Sequence, residues 1–483
     1  MRPVIVVSVI VLASPFIAAE AEKKLTLPQA VALALGQSPQ VKRGEEELWL
    51  ARLEEPGLLA LSDPVFSARA GIQGDRGPRS APVIQGASSD AQILDLTVRQ
   101  NWLTGTDAQI SFKTQRLDNA AIFRPLNPTI DSSLSLNIRQ PLLKNFWGRP
   151  DVAKRRQARS RVLAAEERLK RLKEEIAAQT TLSYVECLAA NEAADIRNSA
   201  LADAKRLYEK YQEKSRYGLI DASDLLQVRV SVRTHDMELK MAQSLAAQAQ
   251  TALKTAIYNT NGAEFTGALE WPAPAPVTEN EIENPNILQT AFAKRGDYQA
   301  ARHELERASW FERVERLGTL PDLSAVASYA SAGLDARTWR SWSDAASFEH
   351  QIMTAGLELQ IPFGFKHEGL RRREAGLRLE MARSELRRLE KKIGKEIADA
   401  RERRRLARTR LDDYRELLDL ERSKLEAAEK DFRRGRADTD LLIRFQEDIH
   451  RTKALLSRAR ADEILTAFEV RLALGDLLEI FVL

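Results

Sequence analysis

The groups able to do chemistry in this 483-residue chain are plentiful in charge and sparse in kind. Five histidines occur, His235, His303, His350, His367 and His450, with a single cysteine, Cys187. The histidines form no HExxH pair, and no Cys/His cluster has metal-ligand spacing. There is no glycine-rich phosphate loop, no dinucleotide fingerprint and no G-x-S-x-G elbow. The 69 acidic residues are interleaved with 73 basic ones, where solvated ion pairs on helix faces are the expected use. No catalysis, metal or cofactor is expected from such residues. The formal charge of +4 does not describe a nucleic-acid surface.

What remains is a turn that occurs twice. In "KSRYGLIDASDLLQVRV" Gly218 is followed by Asp221, Asp224 and a double leucine; in "DFRRGRADTDLLIRFQ" Gly435 is followed by Asp438, Asp440 and another. Each turn interrupts long charged helical sequence. Glycine permits the left-handed backbone at a helix end, and the following Asp or Thr can cap the next helix.

The elements that position these turns show in their periodicity. Val162, Ala165, Leu169, Leu172 and Ile176 step by three and four, as do Leu379, Ala382, Leu386, Leu389 and Ile393. Such steps are the seam of a coiled coil. After each turn a second long helix is expected, ending at "ALKTAIYNTNG" and "EVRLALGDLLEI". "SPQVKRGEEEL" (Ser38 to Leu48) is echoed by "RGDYQAARHEL" (Arg295 to Leu305), so the chain reads as an internal duplication. A helix of about 65 residues spans roughly 100 Å at ~1.5 Å per residue, far more than a globular core needs.

Before its long helices each half carries segments of strict alternation. Leu94, Leu96 and Val98 share one face, as do Leu134, Leu136 and Ile138, and Leu357, Leu359 and Ile361. A strand with one apolar and one polar face requires this. Six segments qualify: Val65–Gln73, Ile93–Asn101, Asp107–Gln115, Ser132–Gln140, Asp322–Ala332 and Gln351–Pro362. A soluble half-buried sheet has the same period. A short "LTGT" connection, set against long Gly-, Pro- and Ser-rich loops at Gly74–Asp90 and Leu117–Asp131, instead matches the habit of outer-membrane barrels. Trp102, Phe112, Phe123, Phe146 and Trp147 are expected near strand ends, as an interfacial girdle.

The chain opens with "MRPVIVVSVIVLASPFIAAEAEKK", a basic residue, an apolar run and small residues, which reads as a secretory signal peptide over 1–21. Cys187 lies away from the cleavage site, so no lipid anchor is expected there; it reads as a small apolar core residue. The expected organisation continues with a helical segment 22–62, a strand region 63–141, a helical hairpin 142–268 and a Pro-rich connector 269–286. A helical segment 287–320, a second strand region 321–363 and a second hairpin 364–483 complete it.

In this order the features resemble the TolC family of outer-membrane efflux proteins, over nearly the whole mature chain. "LNIRQPLL" and "LELQIPFGF" leading into helices, and the two glycine–aspartate turns, carry the resemblance. It implies a mainly α fold with membrane β-strands, in which three protomers share one outer-membrane barrel above a periplasmic helical tunnel. It also implies partners: a periplasmic adaptor, an inner-membrane pump and outer-membrane lipid, with small molecules or proteins as cargo. By resemblance the turns form the periplasmic tip, with Phe432 at a gating aromatic and Asp440 at a tip aspartate. Ile443 replaces a second family aspartate. Arg434 and Arg436 are expected to pair with Asp438 or with neighbouring helices and hold a closed state. The other reading is that Gly218, Asp221, Asp224, Gly435 and these residues only terminate and cap helices. The family pattern has two strands per half. Six segments therefore mean either an enlarged barrel or an "LTGT" hairpin outside the membrane. The rival to a channel is a periplasmic coiled-coil adaptor or structural protein without a barrel.

Overall fold

The computed structural model describes residues 25–81, 84, 86, 88–119, 125–217, 220–257, 269–275, 285–364, 366–433 and 439–481. The signal-peptide reading of residues 1–21 lies outside them, as do Phe123 and half of the Pro-rich connector. The elements run in two parallel series. The first half is α1 (Leu27–Gln37), α2 (Pro39–Ala60), strands β1 (Val65–Asp75), β2 (Ser89–Asn101), β3 (Asp107–Asn119) and β4 (Thr129–Pro141), then α3 (Arg149–Arg216) and α4 (Ala222–Ala256). The second is α5 (Ile287–Lys294), α6 (Gly296–Gly318), β5 (Asp322–Asp335), α7 (Thr338–Ser347), β6 (Gln351–Gln360), α8 (Lys366–Arg433), α9 (Thr439–Leu474) and α10 (Leu477–Phe481).

The duplication is metric as well as sequential. Helices α3 and α8 each hold 68 residues, and α4 and α9 hold 35 and 36. The short helices break alike, α1 from α2 at Ser38 (φ −61°, ψ 120°) and α5 from α6 at Arg295 (φ −69°, ψ 120°). Both break residues are fully buried. Arg295 tolerates this because its guanidinium holds the Asp297 carboxylate at 2.6 and 2.9 Å. Burial works against the Asp297 charge, yet those bonds keep its carboxyl below the usual range.

Two compact units divide the chain: Met1–Val41, Lys173–Ile287 and Glu396–Leu483 form one, Lys42–Leu172 and Leu288–Lys395 the other. In the first, Tyr184 is the anchor. Its hydroxyl lies 2.7 Å from the Leu25 carbonyl and 2.9 Å from that of Glu270 and accepts the Glu270 N–H, beside a short Leu25–Leu269 bridge. Cys187 is a buried free thiol three residues on, its pKa pushed up by burial. In the second unit α2 and α6 pack on α3. Glu55 receives Arg159 at 2.9 Å, Glu304 receives Arg168 at 2.7 Å, and a Cβ on Gly296 would come within 2.3 Å of the Glu167 carbonyl oxygen. The exposed face of α8 carries the expected ladder of ion pairs one turn apart, among them Arg383–Glu380, Arg405–Glu402 and Arg415–Asp412.

All six strand segments form one antiparallel sheet in the order β1-β2-β3-β4-β5-β6. The strands outrun their apolar alternation: Asp75 pairs with Ser89 and Leu117 with Thr129. The stretches read as loops at Gly74–Asp90 and Leu117–Asp131 are therefore shorter, because Asp, Ser and Thr at the strand ends continue the ladder without marking it. Trp102 does follow β2 and Phe146 and Trp147 do follow β4. Phe112, expected at a strand end, sits in mid-β3.

Candidate functional site

The register sorts the sheet into two unlike faces. Across β1 to β3 the pairs Phe66–Val98–Ile110, Ala68–Leu96–Phe112 and Ala70–Leu94–Thr114 line up on one side. Leu134, Leu136 and Ile138 of β4 continue it, then Ala325, Ala327 and Tyr329 of β5, then Met353, Ala355, Leu357 and Leu359 of β6. These rows hold no charged residue. Many members are open to the surroundings of a single chain: Phe66 is 66% exposed, Met353 75% and Leu357 71%. In β2 the band is bracketed by Gln92 and Gln100, about 27 Å apart at ~3.4 Å per residue. Barrel strands tilt by about 40°, so this length spans roughly 21 Å of height, a little under the ~25 Å apolar band of an outer-membrane barrel.

The opposite face carries Arg69, Asp95, Arg99, Gln109, Lys113, Asp131, Asn137, Arg139 and Glu358. Arg99 reaches Asp107 at 2.7 Å, and Arg139 approaches both Asp322 (3.5 Å) and Glu358 (3.7 Å). Outer strands β1 and β6 are exposed along their whole lengths, each with one unpaired edge. The "LTGT" turn is fixed to the start of α3: Gly105 lies against Asn145, and a Cβ on Gly148 would meet the Leu103 carbonyl at 1.7 Å.

The helical tips form the second part of the site. Helix α3 ends at Arg216 and α4 begins at Ala222; α8 ends at Arg433 and α9 begins at Thr439. Gly218, Arg434, Gly435, Arg436 and Asp438 lie outside the described residues. Asp221 is the N-cap residue of α4 by backbone, but its side chain makes no capping hydrogen bond. Asp224 stands in the first turn of α4, where the helix dipole favours a carboxylate, and Asp440 is the second residue of α9.

Phe432 belongs to a core that the sequence did not reveal. Tyr211 of α3, Val228 of α4 and Ile443 of α9 are buried together. Leu207, Tyr208, Ile220, Leu225 and Phe432 pack around them. The Lys214 ammonium lies 5.3 Å from the Phe432 ring centre and 5.9 Å from that of Tyr211. Leu207 with Tyr211, and Leu225 with Val228, have helical spacing that could have been read as a seam. Their convergence on Phe432 needed the packed structure. Ile443, standing where a second tip acid was sought, serves this core.

Further along the same unit, buried His450 of α9 contacts Asp203 of α3 at 3.1 Å through Nε2, and Lys424 of α8 reaches Asp448 of α9 at 3.1 Å. Burial, with Lys453 nearby, lowers the His450 pKa despite the Asp203 carboxylate. Among the described residues no helix is long and apolar enough to cross a membrane.

A duplicated unit of strands followed by a long helical hairpin is the architecture of outer-membrane efflux channels. Residues 98–257 match the family profile described as outer membrane efflux protein. Three solved channels have the same fold. The CmeC outer membrane channel of Campylobacter jejuni superposes with TM-score 0.67 at 16% identity, over 93% of this chain and 86% of its own. VceC, an outer membrane protein of Vibrio cholerae, gives 0.66 at 16%, over 93% and 96%. The open state of the MtrE outer membrane channel of Neisseria gonorrhoeae gives 0.64 at 13%, over 93% and 89%. No curated protein sequence matches the chain. The TolC-like fold read from the repeat is therefore the fold the chain has.

Proposed function

We propose that the chain is one protomer of an outer-membrane export duct. The observation that carries this is the charge-free apolar face running across all six strands, backed by a charged opposite face. In a barrel such a sheet turns the first face to lipid and the second to an aqueous lumen. A six-stranded open sheet leaves two edges whose N–H and C=O groups lipid cannot satisfy, so the edges must pair with those of other copies. Three copies would close an enlarged barrel that includes the "LTGT" hairpin.

Residues 1–21 would direct export and be removed, with no lipid attached. The hairpins α3–α4 and α8–α9 would enclose a periplasmic passage whose far end is the tip, with Phe432 and Asp440 narrowing it. By the family resemblance, a periplasmic adaptor and an inner-membrane pump would deliver cargo. The passage itself needs no cofactor.

The test is the mass of the protein extracted from the outer-membrane fraction, by light scattering corrected for bound detergent. Three chains per particle is the expected result. A monomer with intact strand content, or release from membranes by alkaline wash without detergent, points instead to a periplasmic coiled-coil protein.

A further inference from the structure

Helix α7 has no part in the reading above, and it lies in an unexpected place. It sits on the apolar face of the sheet, the face that meets lipid. Strand β5 follows α6 and β6 runs into α8, so the connection holding α7 is at the end of the sheet remote from the helices. Its inner side is built from small residues, Ser341 and Ala345, both buried. Ser341 Oγ donates to the Gly333 carbonyl at 2.9 Å and lies 2.8 Å from Ser132 Oγ. Ser132 in turn meets Thr114 at 2.8 Å, whose hydroxyl accepts the Trp342 Nε1–H at 3.2 Å. The Trp342 ring stands edge-on to Phe112 at 5.6 Å, and Phe348 stacks on Tyr329 at 5.9 Å. The helix thus covers the rows where the apolar face gives way to Thr114, Ser132 and Gly333, hydroxyls and bare backbone that acyl chains could not satisfy.

Its outer side is of another kind. Trp339 is 76% exposed, Arg337 and Arg340 are exposed beside it, and Trp342 and Phe348 keep more than a third of their surface. One row beyond lie Gln92 and Arg116, where the apolar band ends. Indole rings flanked by arginines, at the border of an apolar band and on its lipid side, have the composition of a membrane–water boundary.

We propose that α7 is an interfacial helix, lying in the outer head-group layer against the barrel wall and setting the upper edge of the lipid-covered band. Trp339, Trp342 and Phe348 insert at the level of the glycerol and first methylenes. Arg337 and Arg340 extend to lipid phosphates. The partner is the lipid surface, and no bound protein is needed. This rests on the lipid-facing reading of the sheet, and the test separates the two.

Single cysteines at Trp339→Cys and, inside the apolar band on β3, Ile110→Cys, made in a Cys187→Ala background, would carry a small fluorophore. The assembled protein would be placed in phosphatidylglycerol-containing vesicles with nitroxide at the head group or at the twelfth acyl carbon. At residue 339, head-group nitroxide should quench at least about twofold more than acyl nitroxide, and at 110 the order should reverse. Should Trp339→Cys fail to assemble, Ser343→Cys, exposed on the same helix, is read in its place. Quenching at 110 with none at 339 puts α7 in water and overturns the inference alone. Stronger acyl than head-group quenching at 339 overturns it too. No lipid quenching at either residue removes the barrel reading and the inference with it.

Discussion

Phe432 and His450 are single residues of the tip unit whose packing and burial each carry a prediction. Phe432 is half-buried among Tyr211, Leu225 and Ile443. Phe432→Ala should therefore do more than widen a constriction. It should lower tip stability by about 1–2 kcal/mol, below the ~3–5 kcal/mol of a fully buried ring. Faster hydrogen exchange in α3 near Tyr211, together with raised single-channel conductance, is the expected pair of results; a conductance change with no change in exchange would separate the gate from the core. His450 gives the pH dependence. Its folded pKa is depressed below 6.5, so it is the neutral form that the fold favours. That stability is present above the unfolded pKa and is lost as pH falls from there through the folded pKa. Melting temperature should drop between pH 7.5 and 5.5, and His450→Gln should remove part of that drop. Asp440→Ala should reduce cation selectivity in planar bilayers if the tip carboxylates of the copies face one passage, because gathered like charges raise the local negative potential.

Among the elements, the long helices and the strands were legible and α7 was not. A three–four step over many turns survives a charge-rich sequence, and Leu389 and Ile393 of α8 are buried as that step requires. Period-two alternation likewise placed Leu94, Leu96 and Val98 on one face. Helix α7 has ten residues, and what fits it to the sheet is small size at Ser341 and Ala345. Small residues announce a contact only once the surface beneath them is known. Gly333 is the other half of that fit: a Cβ there would meet the Ser341 carbonyl oxygen at 2.1 Å and the Ala345 nitrogen at 2.6 Å. Gly333→Ala should cost about 1–3 kcal/mol through overpacking. It should lift α7 from the strands, seen as faster protease cleavage within 336–350 in assembled protein, while the melting of the tip unit stays put. Phe112 was misplaced for a related reason, since its T-shaped partner Trp342 is 230 residues away in sequence.

At the scale of the whole molecule, the two faces of the sheet make a paired prediction. Ile110 is 53% exposed on the apolar face and its neighbour Gln109 points to the charged one. An arginine at the mid-depth of a lipid-facing strand costs roughly 2–4 kcal/mol, whereas a lumen position carries no such cost. Ile110→Arg should sharply reduce the amount of assembled protein in the outer-membrane fraction, and Gln109→Arg should leave it near normal. Equal loss for both would mean that the faces are not in different solvents. The fold was readable at this scale because duplication writes each element twice. The tip site was readable only in outline, because its packing joins four helices whose contacts no single stretch records.

The two halves differ in strand number, while their longest helices are equal. Four strands stand in the first half and two in the second, while their long helices match residue for residue at 68. A hairpin gained or lost returns the chain to the end of the sheet it left, so the next helix still starts in the right place and direction. One strand alone would reverse everything after it. One residue added to a helix would turn all later side chains by about 100°. Growth in a lineage built on this plan is thus restricted to even numbers of strands, and the sheet can widen while the reach of the longest helices stays fixed.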